Sequence, residues 1–214
     1  PKDFPEIAFT GAWDQFVKAG AKEAIEAILP AFLTQRRWFG GKHKQVRDVE
    51  IREVVPIPVG EGTVHVAGLV IQYLESEPEM YVLPLAAAFG KDATKVLEEL
   101  PHAVVARLKT DGPAVLYDAM WDTPFCSTIL SALARGDTFQ GISGTLHAIG
   151  LPTLSIEVGD AELEPTLNKA EQSNTSIVFG DRYLMKVFRR VENGVNPDLE
   201  IARFLHESQG YANS

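Results

Sequence analysis

The sequence contains little of what marks several large classes of protein. Cys126 is the single cysteine among 214 residues, so no disulfide can form within the chain and a disulfide-rich secreted scaffold is excluded. The five histidines are scattered without the spacing of metal ligands, which argues against a structural metal. No apolar run is long enough to span a bilayer, and no signal-peptide pattern is present. We therefore expect a cytoplasmic protein that does not enter a membrane.

Basic charge is also scarce. The chain has 20 Lys and Arg against 29 Asp and Glu, which gives a net charge of −9. A nucleic-acid partner would need a concentrated basic face, and the pair Arg189-Arg190 is too short to provide it, so we expect no such partner. Hydrophobic residues make up 45% of the sequence, which is enough for one large core or two modest ones.

The N-terminal part has the pattern of helices. Residues 1–10 show no sustained period and are interpreted as linker, and apolar residues at helical spacing follow over residues 13–29. Pro30 is expected to bend or restart the helix, and a second short helix is expected to end at residues 38–39, before Gly40-Gly41. These helices are available to cover one face of a sheet.

From Val46 onwards, the spacing of the hydrophobic residues changes to the two-residue period of strands. Residues 93–100 are expected to form either a helical turn or a mobile excursion, and residues 122–135 a helix that stops at Gly136. The spacing of the apolar segments predicts an antiparallel meander with strands over residues 46–59, 65–73, 80–86, 104–109 and 114–118. The fold class that follows is α+β, with an antiparallel sheet packed against the N-terminal helices.

A second region begins after a glycine-rich segment over residues 141–150. We place the domain boundary near residue 150, and expect a strand over residues 163–170. A hairpin follows, in which two short strands flank a turn at Gly180-Asp181.

The second strand of this hairpin carries a lysine inside an apolar run. Alternation along the strand places Lys186 on one face with Leu184 and Phe188. A half-buried ammonium in that position needs an anionic partner.

A helix predicted just beyond the hairpin offers such a partner. Asn196 is its expected cap, Pro197 its first helical residue, and Glu200 lies one turn further on. A strand lysine paired with a glutamate on the following helix is typical of the nucleotide-binding half of protein-kinase-like folds.

Three segments of this region resemble the start of the kinase lobe of bacterial maltokinases. They are Glu171-Gln172-Ser173-Asn174-Thr175-Ser176, Lys186-Val187-Phe188-Arg189-Arg190 and Gly194-Val195-Asn196-Pro197-Asp198-Leu199-Glu200. Residues 29–33 and 36–42 resemble the start of the cap domain of those enzymes. Residues 9–16 resemble the junction in proteins that carry a trehalose synthase fused in front of a maltokinase.

The resemblance implies an organisation in three parts. Residues 1–20 would be linker and junction, residues 21–150 the N-terminal cap domain, and residues 151–214 part of a protein-kinase-like N-lobe of the aminoglycoside-phosphotransferase type. The parent enzyme would transfer the γ-phosphoryl of ATP to maltose, giving maltose 1-phosphate on a route from trehalose to α-glucan. ATP and Mg²⁺ are implied, with the Mg²⁺ ligands outside this chain.

The resemblance also implies which residues meet the nucleotide. Lys186 would hold phosphates as a point charge and Glu200 would orient it. The loop before the hairpin contains no glycine, so its hydroxyl, amide and backbone N–H groups would have to meet the phosphates. The full set of implied contacts is Gln172, Ser173, Asn174, Thr175, Ser176, Lys186 and Glu200.

Plainer interpretations stay open for each of these residues. On spacing alone, Lys186 is better explained as a strand lysine whose stem packs while its head reaches water. The loop is equally a polar hairpin loop, and only the resemblance favours the nucleotide role.

Phosphoryl transfer also needs an aspartate near the acceptor hydroxyl and acidic ligands for magnesium. No catalytic-loop or Asp-Phe-Gly motif occurs in the sequence. We therefore assign no catalytic residue, and expect this chain to be part of a longer polypeptide and inactive by itself. Two alternatives stay open: a non-catalytic cap that docks the kinase onto a fused trehalose synthase or another subunit, and a kinase of another sugar or an aminosugar.

Overall fold

The structure is a computed structural model that describes residues 3–8, 21–150, 163–168, 175–197 and 199–200. Its helices are α1 (Ala21–Thr34), α2 (Gly90–Glu99) and α3 (Thr123–Arg135), with two short 3-10 turns at Gly40–His43 and Ala119–Trp121. The strands are β1 (Glu6–Ala8), β2 (Val46–Val59), β3 (Gly62–Tyr73), β4 (Glu79–Phe89), β5 (Val104–Lys109), β6 (Ala114–Asp118), β7 (Thr138–Gln140), β8 (Thr145–His147), β9 (Pro165–Asn168), β10 (Thr175–Phe179), β11 (Tyr183–Val187) and β12 (Arg190–Val191).

Seven of these strands form one main sheet. Its order is β1-β5-β6-β4-β3-β2, and β12 pairs with the opposite end of β4 from β6. All pairs are antiparallel except β1 with β5. The predicted antiparallel character is therefore confirmed, and the structure is a mixed α/β fold made mostly of strands.

The strand order departs from the predicted meander after β4. The next strand along the chain, β5, does not pair with β4, because α2 lies between the two and carries the chain away from the sheet edge. The β5–β6 hairpin then returns with β6 against β4. Because the connection between β4 and β5 contains a helix, β5 does not have to lie beside β4, as it would after a tight turn.

The N-terminal segment also differs from expectation. Residues 6–8, interpreted as linker, form β1 and pair in parallel with residues 107–109. Ile7 is buried there, which explains how three residues hold a strand position at a sheet edge. The predicted helical pattern over residues 13–20 lies outside the described residues.

Helix α1 covers one face of the main sheet, as predicted. Its buried residues recur every three or four positions, so a single stripe faces the sheet. They are Ala21, Ile25, Leu29, Phe32 and Leu33.

Proline does not interrupt this helix. Pro30 lies inside α1, and the helix ends at Thr34, four residues before the predicted end. Burial of Leu29 and Phe32 on either side of Pro30 compensates for the backbone hydrogen bond that proline cannot donate. Gly40 and Gly41 do not stop a helix but open the first 3-10 turn.

The other face of the sheet is covered as well, although the sequence predicted cover for one face only. Residues of α2 and α3 pack there in a second core, and Ile177 and Phe179 of β10 belong to the same core. Helix α3 ends at Gly136, whose φ of 70° is left-handed, as the sequence predicts.

A carboxylate fixes the loop between β7 and β8. Glu53 on β2 accepts backbone hydrogen bonds from Ile142, Ser143 and Gly144 at 2.6 to 3.3 Å, and one from the Ser143 hydroxyl at 2.6 Å. Burial acts to raise the pKa of Glu53, but the hydrogen bonds outweigh it and lower the pKa to about 2.

This shift predicts how the loop responds to acid. Because the pKa of Glu53 lies below its usual 4.5, the ionised carboxylate stabilises the loop at neutral pH, and this contribution is lost as pH falls from about 5 towards about 2. The amide chemical shift of Gly144, followed by NMR, should therefore stay constant through about pH 4.5 and change only below it.

The Glu53→Gln variant should remove this acid response, whereas Glu50→Gln on the same strand should retain it. A transition of the Gly144 amide centred near the ordinary glutamate value would show that the loop does not hold the carboxylate in its ionised form.

Candidate functional site

The predicted hairpin is present. Strands β10 and β11 pair antiparallel from Thr175↔Val187 to Phe179↔Tyr183, and Gly180 turns between them with a φ of 57°. Strand β9 pairs on the other side of β10 and corresponds to the strand predicted over residues 163–170.

The two faces of this hairpin have different surroundings. Ile177 and Phe179 are fully buried in the second core, and Met185 packs against that core from β11. Lys186 and Leu184 point to the opposite face, where Leu184 is 62% exposed and Lys186 is exposed too. The expected half-burial of Lys186 is therefore not found, because the hairpin buries the face that alternates with it.

The ammonium of Lys186 is placed over an aromatic ring. Its Nζ lies 5.1 Å from the centroid of Phe188, a geometry that gives a modest attraction at an exposed site. Lys186 is also directly across the ladder from Ser176.

The other predicted nucleotide contacts are placed as follows. Gln172, Ser173 and Asn174 lie outside the described residues. The Thr175 side chain is buried and its Oγ1 accepts a hydrogen bond from Arg189 Nε at 3.3 Å, and Ser176 is fully buried. A phosphate contact through either hydroxyl would require the start of β10 to rearrange.

The helix predicted beyond the hairpin begins where expected. Pro197, Leu199 and Glu200 are helical, and the N–H of Glu200 donates to the carbonyl of Asn196 at 2.9 Å. The Glu200 side chain is exposed. Its pairing with Lys186 stays a prediction.

A buried ion pair joins the hairpin to the main sheet. Arg189 donates from Nη1 and Nη2 to Oδ1 and Oδ2 of Asp118, at 3.2 and 2.8 Å. The side chains are 0% and 1% exposed. Two parallel bonds of this kind match the planar guanidinium to the carboxylate and fix their relative orientation.

Further contacts satisfy the two charged groups. The Arg189 guanidinium lies 4.6 Å from the ring centroid of Trp38, and its Nε donates to Thr175. The Asp118 carboxylate also accepts from the N–H of Met120 at 3.1 Å. Charges buried this deeply require such partners, because desolvation alone would exceed their attraction.

The next residue makes a second connection at the sheet surface. Arg190 approaches Glu79 of β4 at 3.4 Å. Glu79 also accepts from Lys44 at 2.7 Å and from the hydroxyls of Tyr73 and Tyr81 at 2.7 and 3.1 Å. We call Glu79 with these four partners the Glu79 cluster.

The pKa values in the Glu79 cluster follow from this arrangement. Burial acts to raise the pKa of Glu79, but the hydrogen bonds and the nearby cations together lower it. Burial and the adjacent carboxylate raise the pKa of Tyr81 to about 12. At neutral pH the cluster therefore contains an ionised carboxylate that accepts hydrogen bonds from two neutral phenols.

The sequence did not predict the contacts of Arg189 with Asp118 and of Arg190 with Glu79. Asp118 closes β6, in which all five residues are buried, and a carboxylate at the end of such an apolar strand needs a cation. The sequence assigns Arg189 and Arg190 to a segment that resembles the kinase lobe and to a basic pair too short for nucleic acid, and predicts no buried partner for either. Alternation continued along the strand places Arg189 on the same face as Met185 and Val187, which pack against the second core, so the pattern indicates an inward arginine but not its partner.

The ion pair predicts a large loss of stability when one partner is removed. Asp118→Ala leaves the Arg189 guanidinium buried and uncompensated, and should lower the free energy of unfolding by about 3–5 kcal/mol. Chemical denaturation monitored by tryptophan fluorescence measures this change.

Asp137→Ala is the matched control, because Arg135 donates from Nε and Nη2 to Oδ2 of Asp137, at 3.0 and 2.6 Å, in an ion pair on the surface. Its cost should be at most about 1 kcal/mol. Equal effects of the two substitutions would mean that the buried pair does not stabilise the fold beyond an exposed one.

Among the residue ranges that the structure describes, no three His, Cys, Asp or Glu side chains converge to hold a metal ion. No helix in the same ranges has the length and apolar character that crossing a membrane requires.

Comparison with known families matches the part of the chain that contains most of the main sheet. Residues 32–122 match the family model described as the maltokinase N-terminal cap domain. This stretch runs from the end of α1 to the residue before α3, and so includes Asp118 and Glu79 but not the two arginines that contact them. The predicted resemblance is confirmed over this stretch: residues 32–122 are similar to the maltokinase N-terminal cap domain.

Proposed function

We propose that this chain belongs to an ATP-dependent sugar kinase that transfers the γ-phosphoryl of ATP to the anomeric hydroxyl of maltose, giving maltose 1-phosphate. The observation that carries the proposal is the cap-domain match over residues 32–122. The three-stranded sheet β9–β11 supports it, because this sheet is joined to the cap through Arg189 and has a lysine on its exposed face. In this proposal β9–β11 begin a protein-kinase-like N-lobe.

Lys186 would contact the nucleotide phosphates. Its ammonium is exposed, so an anionic ligand can reach it without displacing the core, and a point charge suits a flexible triphosphate. Glu200 would orient Lys186 from the following helix. Residues 172–174 would supply loop contacts to the phosphates.

The cap and the hairpin would act together in holding the nucleotide. The backbone carbonyl of Arg189 accepts from the N–H of Val82 at 2.8 Å, and Arg190 pairs with Tyr81 on β4. The strand that carries Lys186 therefore continues directly into the cap sheet. This gives Lys186 a rigid support on its C-terminal side.

Mg²⁺ would accompany ATP in such a reaction and neutralise charge on its phosphates. The described residues do not fit a Mg²⁺ site, because they contain no converging group of acidic ligands. We assign the Mg²⁺ ligands and the aspartate that orients the acceptor hydroxyl to other parts of the protein. This chain would then supply the cap and part of the nucleotide site.

A second candidate role concerns docking. Met80 on β4 and Val191 on β12 are paired in register and are 45% and 40% exposed. Adjacent exposed apolar side chains are a feature of interaction surfaces, which supports the alternative that the cap docks the kinase onto a fused trehalose synthase or another subunit.

The kinase proposal predicts that Lys186→Met abolishes ATP-dependent phosphorylation. Removing the ammonium removes the charge that holds the phosphates, so turnover should fall by at least about 100-fold. Phosphorylation of maltose by the full-length protein, with ATP and Mg²⁺, measures this, and a panel of other sugars and aminosugars identifies the acceptor.

Lys109→Met provides the control, because Lys109 is also an exposed strand lysine but lies on β5. That variant should retain full activity. If Lys186→Met turned over normally, Lys186 would be an ordinary surface lysine.

A surface variant tests the docking role better than deletion of the cap does. Deletion would also remove the core in which Ile177 and Phe179 are buried. Met80→Ser with Val191→Ser should abolish association with trehalose synthase in analytical ultracentrifugation and leave phosphorylation intact. Unchanged association would remove this surface from consideration.

A further inference from the structure

A cleft of about 740 Å³ lies on the side of the cap that faces away from α1. Its floor includes Ala87 and Ala88 of β4, and its walls are α2 and the segment that leads into α3. The volume is in the range of sites that hold a small organic ligand. The predicted nucleotide contacts that the structure describes, Thr175, Ser176, Lys186 and Glu200, do not line this cleft.

Aromatic side chains form part of its lining. Phe89, at the end of β4, is 48% exposed although it is a large apolar residue. Trp121 is half-buried, and the His102 ring packs against it at 4.1 Å and nearly perpendicular. These contacts fix the indole while it lines the cleft.

Polar groups enter the same cleft from another wall. The Tyr117 hydroxyl and the Asp122 carboxylate are near enough to affect each other's pKa, and both residues line the cleft. Asp122 stands at the N-cap of α3, yet its side chain does not cap the helix N–H groups. Burial raises the pKa of Asp122 and that of Tyr117. A carboxylate has about four acceptor sites, so Asp122 can accept further hydroxyls.

The charges of the lining restrict the chemistry of a ligand. Asp92, Glu99 and Asp122 contribute three carboxylates, and Lys95 contributes one ammonium. Phosphates and nucleotides would be repelled by this excess of negative charge. The ligand must be neutral or cationic, with apolar surface for the aromatic rings and donors for the carboxylates.

We propose that this cleft binds a neutral gluco-oligosaccharide, with C–H faces of the sugar against Phe89 and Trp121 and sugar hydroxyls donating to Glu99 and Asp122. Sugars combine both kinds of surface in one molecule. The inference extends the proposed function, because it gives the cap a sugar contact separate from the acceptor that is phosphorylated. Phosphorylated sugars would bind more weakly than neutral ones.

Binding of maltotriose to the full-length protein without ATP tests the proposal directly. Isothermal titration calorimetry should show saturable binding, and Phe89→Ala combined with Glu99→Gln should weaken it at least about tenfold. Glu98→Gln is the matched control, because Glu98 is exposed on the same helix but does not line the cleft. The control should bind maltotriose as the parent protein does.

Two results would overturn the proposal. One is maltotriose binding that is absent or unaffected by the double variant, and the other is tight binding of a lysine-rich peptide in the cleft with no binding of maltotriose. Because the assay contains no nucleotide, its outcome is independent of turnover. A protein that phosphorylates maltose but binds no maltotriose in the cleft would contradict only this inference.

Discussion

The pair formed by Arg189 and Asp118 determines how the two regions of this chain are joined. Both side chains are almost completely buried, and removing two charges from water is costly unless each finds several partners. The partners come from both regions: Thr175 from the hairpin, and Trp38 and Met120 from the cap. Separating the hairpin from the cap would therefore expose one of these charges to water or leave it buried without a partner.

The rest of the architecture is consistent with this constraint. The cap-domain match ends at residue 122, yet the core beneath the sheet continues through Ile177 and Phe179 of β10. On the surface, Arg190 repeats the connection by approaching the Glu79 cluster. Consecutive arginines thus contact two different acids of the cap, one inside the fold and one at its edge. A site built around Lys186, three residues before Arg189, would be held by these contacts.

The sequence was sufficient to predict most of the local structure. Three strands, over residues 46–59, 104–109 and 114–118, have the predicted bounds, because their apolar periods end at turn residues. The hairpin around Gly180 was predicted for the same reason. Strand order could not be read this way, since the pairing of β6 with β4 depends on where α2 packs. The ion pair joins residues 71 positions apart, and no local pattern encodes that contact.

Native-state hydrogen exchange tests the central claim most directly, by comparing amides of β10 with amides of β6. If the buried pair makes the hairpin and the cap one cooperative unit, both sets should exchange through the same global opening, with equal free energies. They should also lose protection together as denaturant is added. Exchange of β10 through a separate, lower-energy opening while β6 stays protected would contradict this account.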